Sequence, residues 1–145
     1  MNKYSNDDLN NPKYLFHGSP KKLDIVEQRK SSDSSGNKDN IDNVVFLTSS
    51  YLIASAYAFK DTIKEKSFNL KWSFDISNRD TIPVMTMRNV VIDRNSVGYI
   101  YIFRNDNNLK ASPSGSLQFK AYSDLLPIDV VEVEYKDFEK YYKVI

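Results

Sequence analysis

The fold is decided by the stretch Tyr-Leu-Phe-His-Gly-Ser, residues 14–19. Its short apolar run ends in His17, the single histidine of the chain, and Gly18 and Ser19 follow at once. Such a run is typical of a buried strand, and glycine frees the backbone after it. The pattern predicts a strand that presents a polar side chain and exposed backbone groups at the rim of a sheet. One interpretation is a wall of a nucleotide site; the other is a core strand ending in a turn, with His17 as a half-buried filler.

Length and composition are those of one globular domain. The chain has 145 residues, of which 41% are hydrophobic and 27% charged, so one core can form. The net charge of +1 gives no overall attraction to nucleic acid or anionic lipid. Residues 1–12 are polar and are expected to form an N-terminal tail, and residues 13–145 a single domain.

Cysteine is absent and histidine occurs once, so disulfides, thiolate zinc sites and an all-histidine metal site within one chain are excluded. We therefore expect no metal. The first eight residues are polar and acidic, without the apolar core of a signal peptide. No run approaches the length of a membrane span. We expect a cytoplasmic protein with no membrane partner.

Apolar runs predict roughly six to eight strands and one main helix. The predicted strands cover residues 13–17, 44–47, 68–76, 82–87, 90–92, 97–103, 117–122 and 128–135. The 68–76 segment alternates strictly between apolar and polar residues, which predicts a strand with one buried and one wet face. Strands and helices do not alternate regularly. We therefore expect an α+β fold with two small, mostly antiparallel β-sheets packed together with one main helix.

The helix is predicted over residues 50–65, where Leu52, Ala56 and Phe59 recur on one face. Hydroxyl side chains at residues 48–50 can cap its N-terminus. Small residues within the helix would let it pack closely against a sheet or a ligand.

Residues 27–43 contain one apolar residue, Ile41, and are long for a loop in a compact domain. A flap over a site and a solvated excursion both account for the pattern. Arg29 and Lys30 would meet a pyrophosphate in the first case and would be solvated in the second. A second polar loop is expected at residues 104–116.

Three segments follow one another in an order that is typical of a known family. They are the His-Gly-Ser strand, the strand at 44–48 that leads into a helix with Tyr57, and residues 116–119 ahead of the strand at 128–135. This order resembles the diphtheria-toxin-type ADP-ribosyltransferases. They include the catalytic domain of the poly(ADP-ribose) polymerases and, more distantly, the RNA 2′-phosphotransferases. The resemblance spans about residues 14–135 and implies an ADP-ribosyltransferase-like fold.

The resemblance also implies roles at the substrate NAD. His17 is similar to the histidine that bonds the nicotinamide-side ribose. Gly18 is similar to the residue whose backbone N–H and C=O hold the nicotinamide carboxamide, and Ser19 would support that carboxamide or the ribose. Phe46, where the family usually has tyrosine, and Tyr57, eleven residues on, would stack on the nicotinamide ring. Aromatic faces attract such a flat cationic ring. Core packing is the alternative for both rings.

The third motif position departs from the family. It is Gln118, where the resemblance calls for a glutamate. A carboxylate would bond the ribose hydroxyl and stabilise the positive charge of an oxocarbenium-like state. Glutamine can hold the hydroxyl but supplies neither charge nor a base, and its alternative is an ordinary strand residue. Glu132 and Glu134 are expected on a solvated strand face rather than as replacements.

The catalytic residues implied are therefore His17 and Gln118, with residues 17–19, Phe46 and Tyr57 binding NAD. The resemblance implies a mono-ADP-ribosyltransferase, a glycosyltransferase that passes ADP-ribose to a protein, nucleic-acid or small-molecule acceptor and releases nicotinamide. The alternative is a catalytically inactive module that binds NAD or ADP-ribose. A structural or partner-binding domain without pocket chemistry is the third hypothesis.

Overall fold

The computed structural model describes residues 4–27, 29–31, 42–59, 71–75, 84–88, 94–115 and 117–144. These residues form a mixed α+β fold with one α-helix, as the sequence predicts. In chain order the elements are β1 (Tyr14–Ser19), β2 (Arg29–Ser31), β3 (Asp42–Thr48), α1 (Tyr51–Ala58), β4 (Lys71–Asp75), β5 (Val84–Arg88), β6 (Val97–Arg104), β7 (Ser112–Gly115), β8 (Gln118–Ala121), β9 (Asp129–Glu134) and β10 (Tyr142–Val144). Two short 3-10 helices, Tyr135–Asp137 and Glu139–Tyr141, lie between β9 and β10.

Seven strands form the main sheet, in the order β7-β8-β3-β1-β6-β9, with β2 also paired to β3. All pairings of this sheet are antiparallel. A three-stranded sheet has the order β10-β5-β4, in which β4 and β5 are antiparallel and β10 and β5 parallel. The α+β class and an antiparallel main sheet are as predicted, but the main sheet is larger than expected and the second sheet contains one parallel and one antiparallel pairing.

The main sheet has a cluster of buried residues on each face. Successive side chains of a strand point to opposite sides, so neighbouring residues of one strand belong to different clusters. Phe16, Ile100 and Ile102 point to one side and cluster with residues of α1; we call this the helix face. Leu15 and Tyr101 point to the other side, which we call the loop face. Loop residues that complete the cluster on the loop face are Val26, Leu109 and Leu125.

Helix α1 lies unusually close to the sheet. A Cβ added to Gly18 would lie 1.9 Å from the backbone oxygen of Ala54, and one added to Gly98 would lie 2.4 Å from that of Ala58. Such distances leave no space for a side chain, so glycine is required at both positions. The helix begins after Ser50, whose side chain accepts a hydrogen bond from a backbone N–H of the first turn. Its predicted continuation beyond residue 59 lies outside the described residues.

The N-terminal segment is attached to the sheet by two side chains. The Tyr4 hydroxyl donates to Asp129 Oδ2 at 2.6 Å. The Asn6 amide nitrogen donates to the backbone oxygens of Tyr14 (2.8 Å) and Ser49 (2.9 Å), and its oxygen accepts from the backbone N–H groups of Lys13 and Tyr14. Asn6 therefore connects β1 to the turn that follows β3.

Three segments differ from the sequence-based expectation. The polar loop predicted at 104–116 contains β7, which pairs with β8. The residues from 135 to 144, at and beyond the end of the last predicted strand, form the two 3-10 helices and β10. The polar segment 27–43 contains β2. The strand predicted at 90–92 lies outside the described residues.

Among the described segments, no helix is long and apolar enough to cross a bilayer. The same segments contain no group of three or more histidine, cysteine, aspartate or glutamate residues arranged to hold a metal ion.

Candidate functional site

The two edges of β1 are paired to very different extents. Toward β6, all six residues of β1 have partners, from Tyr14 opposite Arg104 to Ser19 opposite Tyr99. Toward β3, the register contains one pair, Phe16 opposite Thr48. The backbone pairing on the β3 side therefore ends near the middle of β1.

Backbone hydrogen bonds show where Gly18 points. Asn105 donates its backbone N–H to the Lys13 oxygen at 3.0 Å, so Lys13 directs its carbonyl to the β6 side. In an antiparallel ladder, alternate residues bond to the same neighbour. Residues 15, 17 and 19 therefore bond to β6, and the N–H and C=O of Gly18 point toward β3.

On β3, the residue that faces Gly18 is Phe46, and its carbonyl oxygen contacts a side chain of β1 in place of the Gly18 backbone. Ser49 donates its backbone N–H to the Leu117 oxygen at 3.1 Å, so Phe46, three residues earlier, directs its backbone groups to β1 rather than to β8. A continued ladder would place Gly18 opposite Phe46. Instead, Nδ1 of His17 lies 2.8 Å from the Phe46 carbonyl oxygen. We call the unpaired stretch between Gly18 and Phe46 the β1–β3 gap.

The hydrogen bond fixes the state of the His17 ring. A carbonyl oxygen can only accept, so Nδ1 must carry the proton. In the neutral imidazole Nε2 is then an acceptor. The ring centroid lies 6.3 Å from that of Tyr101. The Tyr101 hydroxyl donates to the Lys21 oxygen at 2.8 Å and accepts from the Leu23 N–H, so it holds the loop after β1 over the loop face beside His17.

Phe46, Gln118 and Lys120 lie on the helix face of neighbouring strands. The register pairs Phe46 with Lys120 and Thr48 with Gln118, and directly opposed residues point to the same side. Their intervening neighbour Phe119 is buried on the loop face. The Lys120 ammonium lies 5.7 Å from the centre of the Phe46 ring. Because Phe46, Gln118 and Lys120 are each only half-buried, this part of the helix face is accessible beside α1.

Tyr57 lies on the flank of α1 that is directed toward β3. Ala54 and Ala58 form the side of the helix that contacts the sheet. With 100° per residue, Tyr57 falls on one side of that line and Phe59 on the other. The Phe59 ring packs against Tyr135 after β9, with centroids 5.5 Å apart. The opposite flank, with Tyr57, therefore faces the accessible part of the helix face.

The environment of Tyr57 is intermediate between core and surface. The residue is 41% exposed, while burial raises the pKa of its phenol above the usual value. Phe46 is half-buried and belongs to neither core cluster. Neither ring is therefore an ordinary core residue.

The structure brings together His17, Gly18 and Phe46 at the β1–β3 gap. Gln118 lies opposite Thr48, which in turn lies opposite Phe16 of β1. The alternation along each strand directs the Gln118 side chain to the helix face and the His17 side chain to the loop face. Ser19 lies at the end of β1, where its hydroxyl oxygen accepts a hydrogen bond from a backbone N–H at 3.2 Å.

Lys120 is the nearby residue that sequence reasoning missed. Its signal was present: it lies two residues after Gln118 in a predicted strand, hence on the same face. The residue opposite it is set by the register, which cannot be read from the sequence.

Glu132 and Glu134 are exposed on β9, so the prediction of a solvated strand face is confirmed. A surface pocket of about 400 Å³ lies beside β9 and is lined by Lys22, Tyr99, Asp129, Val130 and Glu132. None of the predicted site residues lines it.

No protein-family model, curated protein or solved structure matches this chain. The assignment of a function therefore depends on the residues and geometry described above.

Proposed function

We propose that this protein binds NAD at the β1–β3 gap and acts as an ADP-ribosyltransferase-like protein, passing ADP-ribose to a macromolecular acceptor with release of nicotinamide. The observation that carries the proposal is the ending of the β1–β3 ladder at Gly18. There the His17 ring bonds the Phe46 carbonyl, and the backbone groups of Gly18 are directed into the gap.

The gap has the chemistry that a carboxamide requires. A carboxamide offers one acceptor and one donor side by side, and the N–H and C=O of a single extended residue can match both. Gly18 presents these two groups on the side where β3 has diverged. The missing Cβ of Gly18 would point at α1, so glycine at this position permits the close approach of the helix.

Two rings on the helix face and one imidazole on the loop face would hold the remainder of the nicotinamide riboside from the two sides of the gap. Phe46 and the β3-facing flank of α1, with Tyr57, provide aromatic surface near the gap, which favours a flat cationic ring. Nε2 of His17 would accept a hydrogen bond from a ribose hydroxyl, since Nδ1 is committed to the Phe46 carbonyl.

Cleavage of the glycosidic bond would depend on Gln118. Its amide can hold a ribose hydroxyl but cannot neutralise the positive charge that develops on the sugar, so slow transfer is expected. This neutral residue also favours a second candidate function, a binding module for NAD or ADP-ribose that performs no chemistry.

The test is to incubate the purified protein with NAD labelled in the adenine moiety and with a mixture of protein and nucleic-acid acceptors. We expect NAD binding together with slow nicotinamide release. His17→Ala should weaken NAD binding by about tenfold, since a hydrogen bond worth roughly 1.4 kcal/mol is lost. Thermal unfolding of the variant checks that the fold remains intact.

Two further variants separate the two candidate functions. Gln118→Glu should increase nicotinamide release if the site retains transfer geometry, whereas Glu132→Gln, on the solvated face, should change neither binding nor release. Binding without turnover in both the wild type and Gln118→Glu supports the binding module. If neither NAD nor ADP-ribose binds to the wild-type protein, both functions are wrong.

A further inference from the structure

We propose that the outer edge of β9 binds an extended basic segment of a partner protein, which adds to the main sheet as a further antiparallel strand. This edge is separated from β1 by β6, so the binding of the segment does not depend on the binding of NAD. Three features support the proposal: the open backbone of β9, the pocket beside that strand, and an excess of acidic over basic side chains along it.

The two edges of the main sheet differ in how well they are protected. At one end, β7 is a strand of four residues that contains Pro113 and a register shift against β8. A short strand, a proline and an irregular register all hinder the pairing of another strand at an edge. At the other end, β9 has six residues without proline, in unbroken register with β6. Among the residues that the structure describes, no strand pairs with the outer side of β9, so this edge can accept one.

Backbone hydrogen bonds show which groups of β9 face outward. Tyr135, directly after β9, donates its N–H to the residue before β6 at 2.9 Å, so alternate residues of β9 also bond to β6. The N–H and C=O groups of Glu132 and Glu134 therefore point away from the sheet. The outward N–H of Val130 is already bonded, because it donates to Asp129 Oδ1 at 2.8 Å. An added strand would form its ladder at Glu132 and Glu134.

The pocket of about 400 Å³ lies on the side of β9 where this ladder would place side chains. Val130 packs with the residues of the loop face, and Glu132 has the same orientation because it is two residues later. Both line the pocket, together with Lys22, Asp129 and Tyr99, whose hydroxyl donates to the Glu132 carboxylate at 3.4 Å. Directly opposed residues of two strands point to the same face. Every second side chain of the added strand would therefore lie beside this pocket.

Acidic side chains exceed basic ones along this edge. The acidic residues are Asp129, Glu132 and Glu134, and the basic ones are Lys22 and Lys136. The Lys136 ammonium lies 3.3 Å from Glu134, but both side chains are about half-exposed, and such pairs are weak. Lysine or arginine at alternate positions of the added strand would lie opposite Glu132 and Glu134, whereas acidic side chains would be repelled there.

A second copy of this chain is a poorer occupant of the edge. If two β9 strands paired antiparallel about a two-fold axis at Glu132, the Glu132 side chains of both copies would be directly opposed. Like charges in that position destabilise a sheet. The edge therefore favours a basic segment over a second copy.

The charge requirement is tested with a fluorescent peptide of about eight residues in which lysine alternates with threonine. Fluorescence anisotropy at low salt should show saturable binding to the wild-type protein. Glu132→Lys should weaken this binding by about tenfold, because an attraction becomes a repulsion. The charge-matched control is Glu27→Lys, at an exposed residue outside β9, which should change the affinity by about twofold or less.

The ladder itself is tested by methylating backbone nitrogens of the peptide. Opposed residues of a hydrogen-bonded antiparallel pair exchange both bonds, so the N–H groups of lysines opposite Glu132 and Glu134 face β9. Methylating the lysine nitrogens should weaken binding by about tenfold or more. Methylating the threonine nitrogens, which face away from β9, should change the affinity by about threefold or less.

The proposal is overturned if the wild-type protein does not bind the peptide, if Glu132→Lys binds it equally well, or if the two methylation patterns have equal effects. If Glu132→Lys does not fold, the two methylated peptides decide the question on the wild-type protein alone. A wild-type dimer that dissociates in the Glu132→Lys variant would identify a second copy as the occupant and overturn the proposal. Because the peptide is measured without NAD, failure here and failure of NAD binding are observed separately.

Discussion

The two edges of β1 differ in how far the strand is paired with its neighbours β6 and β3. On the β6 edge six consecutive residues are paired. On the β3 edge one pair, Phe16 with Thr48, is flanked by two side chains that bond to backbone groups, Asn6 on one side and His17 on the other. The continuous edge fixes the position of the strand. The interrupted edge can therefore leave backbone groups available for a ligand without loss of the fold.

The largest expected effect comes from adding a methyl group to Gly18, where α1 packs directly on β1. Gly18→Ala would place Cβ 1.9 Å from the Ala54 oxygen and force the helix away from β1. We expect a loss of about 3 kcal/mol or more in the free energy of unfolding, since overpacking against backbone cannot be relieved by a rotamer change. Urea denaturation measures it, with Ser112→Ala on an exposed strand as the control. A loss below about 1 kcal/mol would show that α1 is not fixed on β1.

High pH should destabilise the fold through Tyr135, which lies beside β6, the strand that pairs with all six residues of β1. Tyr135 follows β9, and its backbone N–H donates to the Ser96 oxygen just before β6. Burial, and then the Glu139 carboxylate, raise the pKa of Tyr135 to about 12 from an ordinary 10.0. Because the folded state holds the neutral phenol, the contribution to stability is complete below pH 10 and is lost as the pH rises toward 12.

We expect the free energy of unfolding to fall by an amount on the order of 2 kcal/mol between pH 9 and pH 12 from this group. Burial also raises the pKa of Tyr57 and Tyr101, so both act in the same direction. Urea denaturation at a series of pH values measures the total. Tyr135→Phe should flatten the profile, and an unchanged slope in this variant would contradict the assignment.

Asn6→Ala, at the β3 edge of β1, should cause the smallest loss of stability of the three substitutions or changes. The substitution removes hydrogen bonds to Tyr14 and to the Ser49 oxygen, which together fix the closed end of the β1–β3 contact. We expect a loss of about 1–2 kcal/mol in stability, because these hydrogen bonds are partly buried. Hydrogen exchange should quicken at β3 and the turn after it, but not along β6.

Asn10→Ala is the matched control, since the Asn10 side chain is exposed in the same segment. Equal acceleration of exchange in β3 and β6 would show that the two edges of β1 are not independent.

Most of the strand positions followed from the sequence because their burial is visible in its periodicity. The predicted strands at 44–47, 97–103 and 128–135 each coincide with a strand of the main sheet, and Val133 and Tyr135, which alternate with the exposed Glu132 and Glu134, are buried. The N-terminal cap of α1 by Ser50 was also readable from the run of hydroxyl residues. Local patterns sufficed wherever one face of a segment is apolar.

The interruption at Gly18 could not be predicted from a local pattern. It depends on how many residues of β1 and β3 pair, which is a contact between segments far apart in the sequence. The contact of Lys120 with Phe46 depends on the register between β3 and β8, and β7 carries Pro113 and a register shift that hid it within a polar segment. Pairing partners are tertiary information, so the sequence indicated candidate residues without their neighbours.

The hydrogen bond between His17 and Phe46 gives the protein a natural spectroscopic probe. Because the chain contains a single histidine, the imidazole signals in a proton–nitrogen spectrum arise from His17 alone. The Nδ1 proton that faces the Phe46 carbonyl reports whether this hydrogen bond is intact, and Nε2 would report a hydrogen bond from the ribose of the proposed ligand. Ligand entry can therefore be followed in the wild-type sequence enriched in nitrogen-15, without introducing a dye or a new residue at the site.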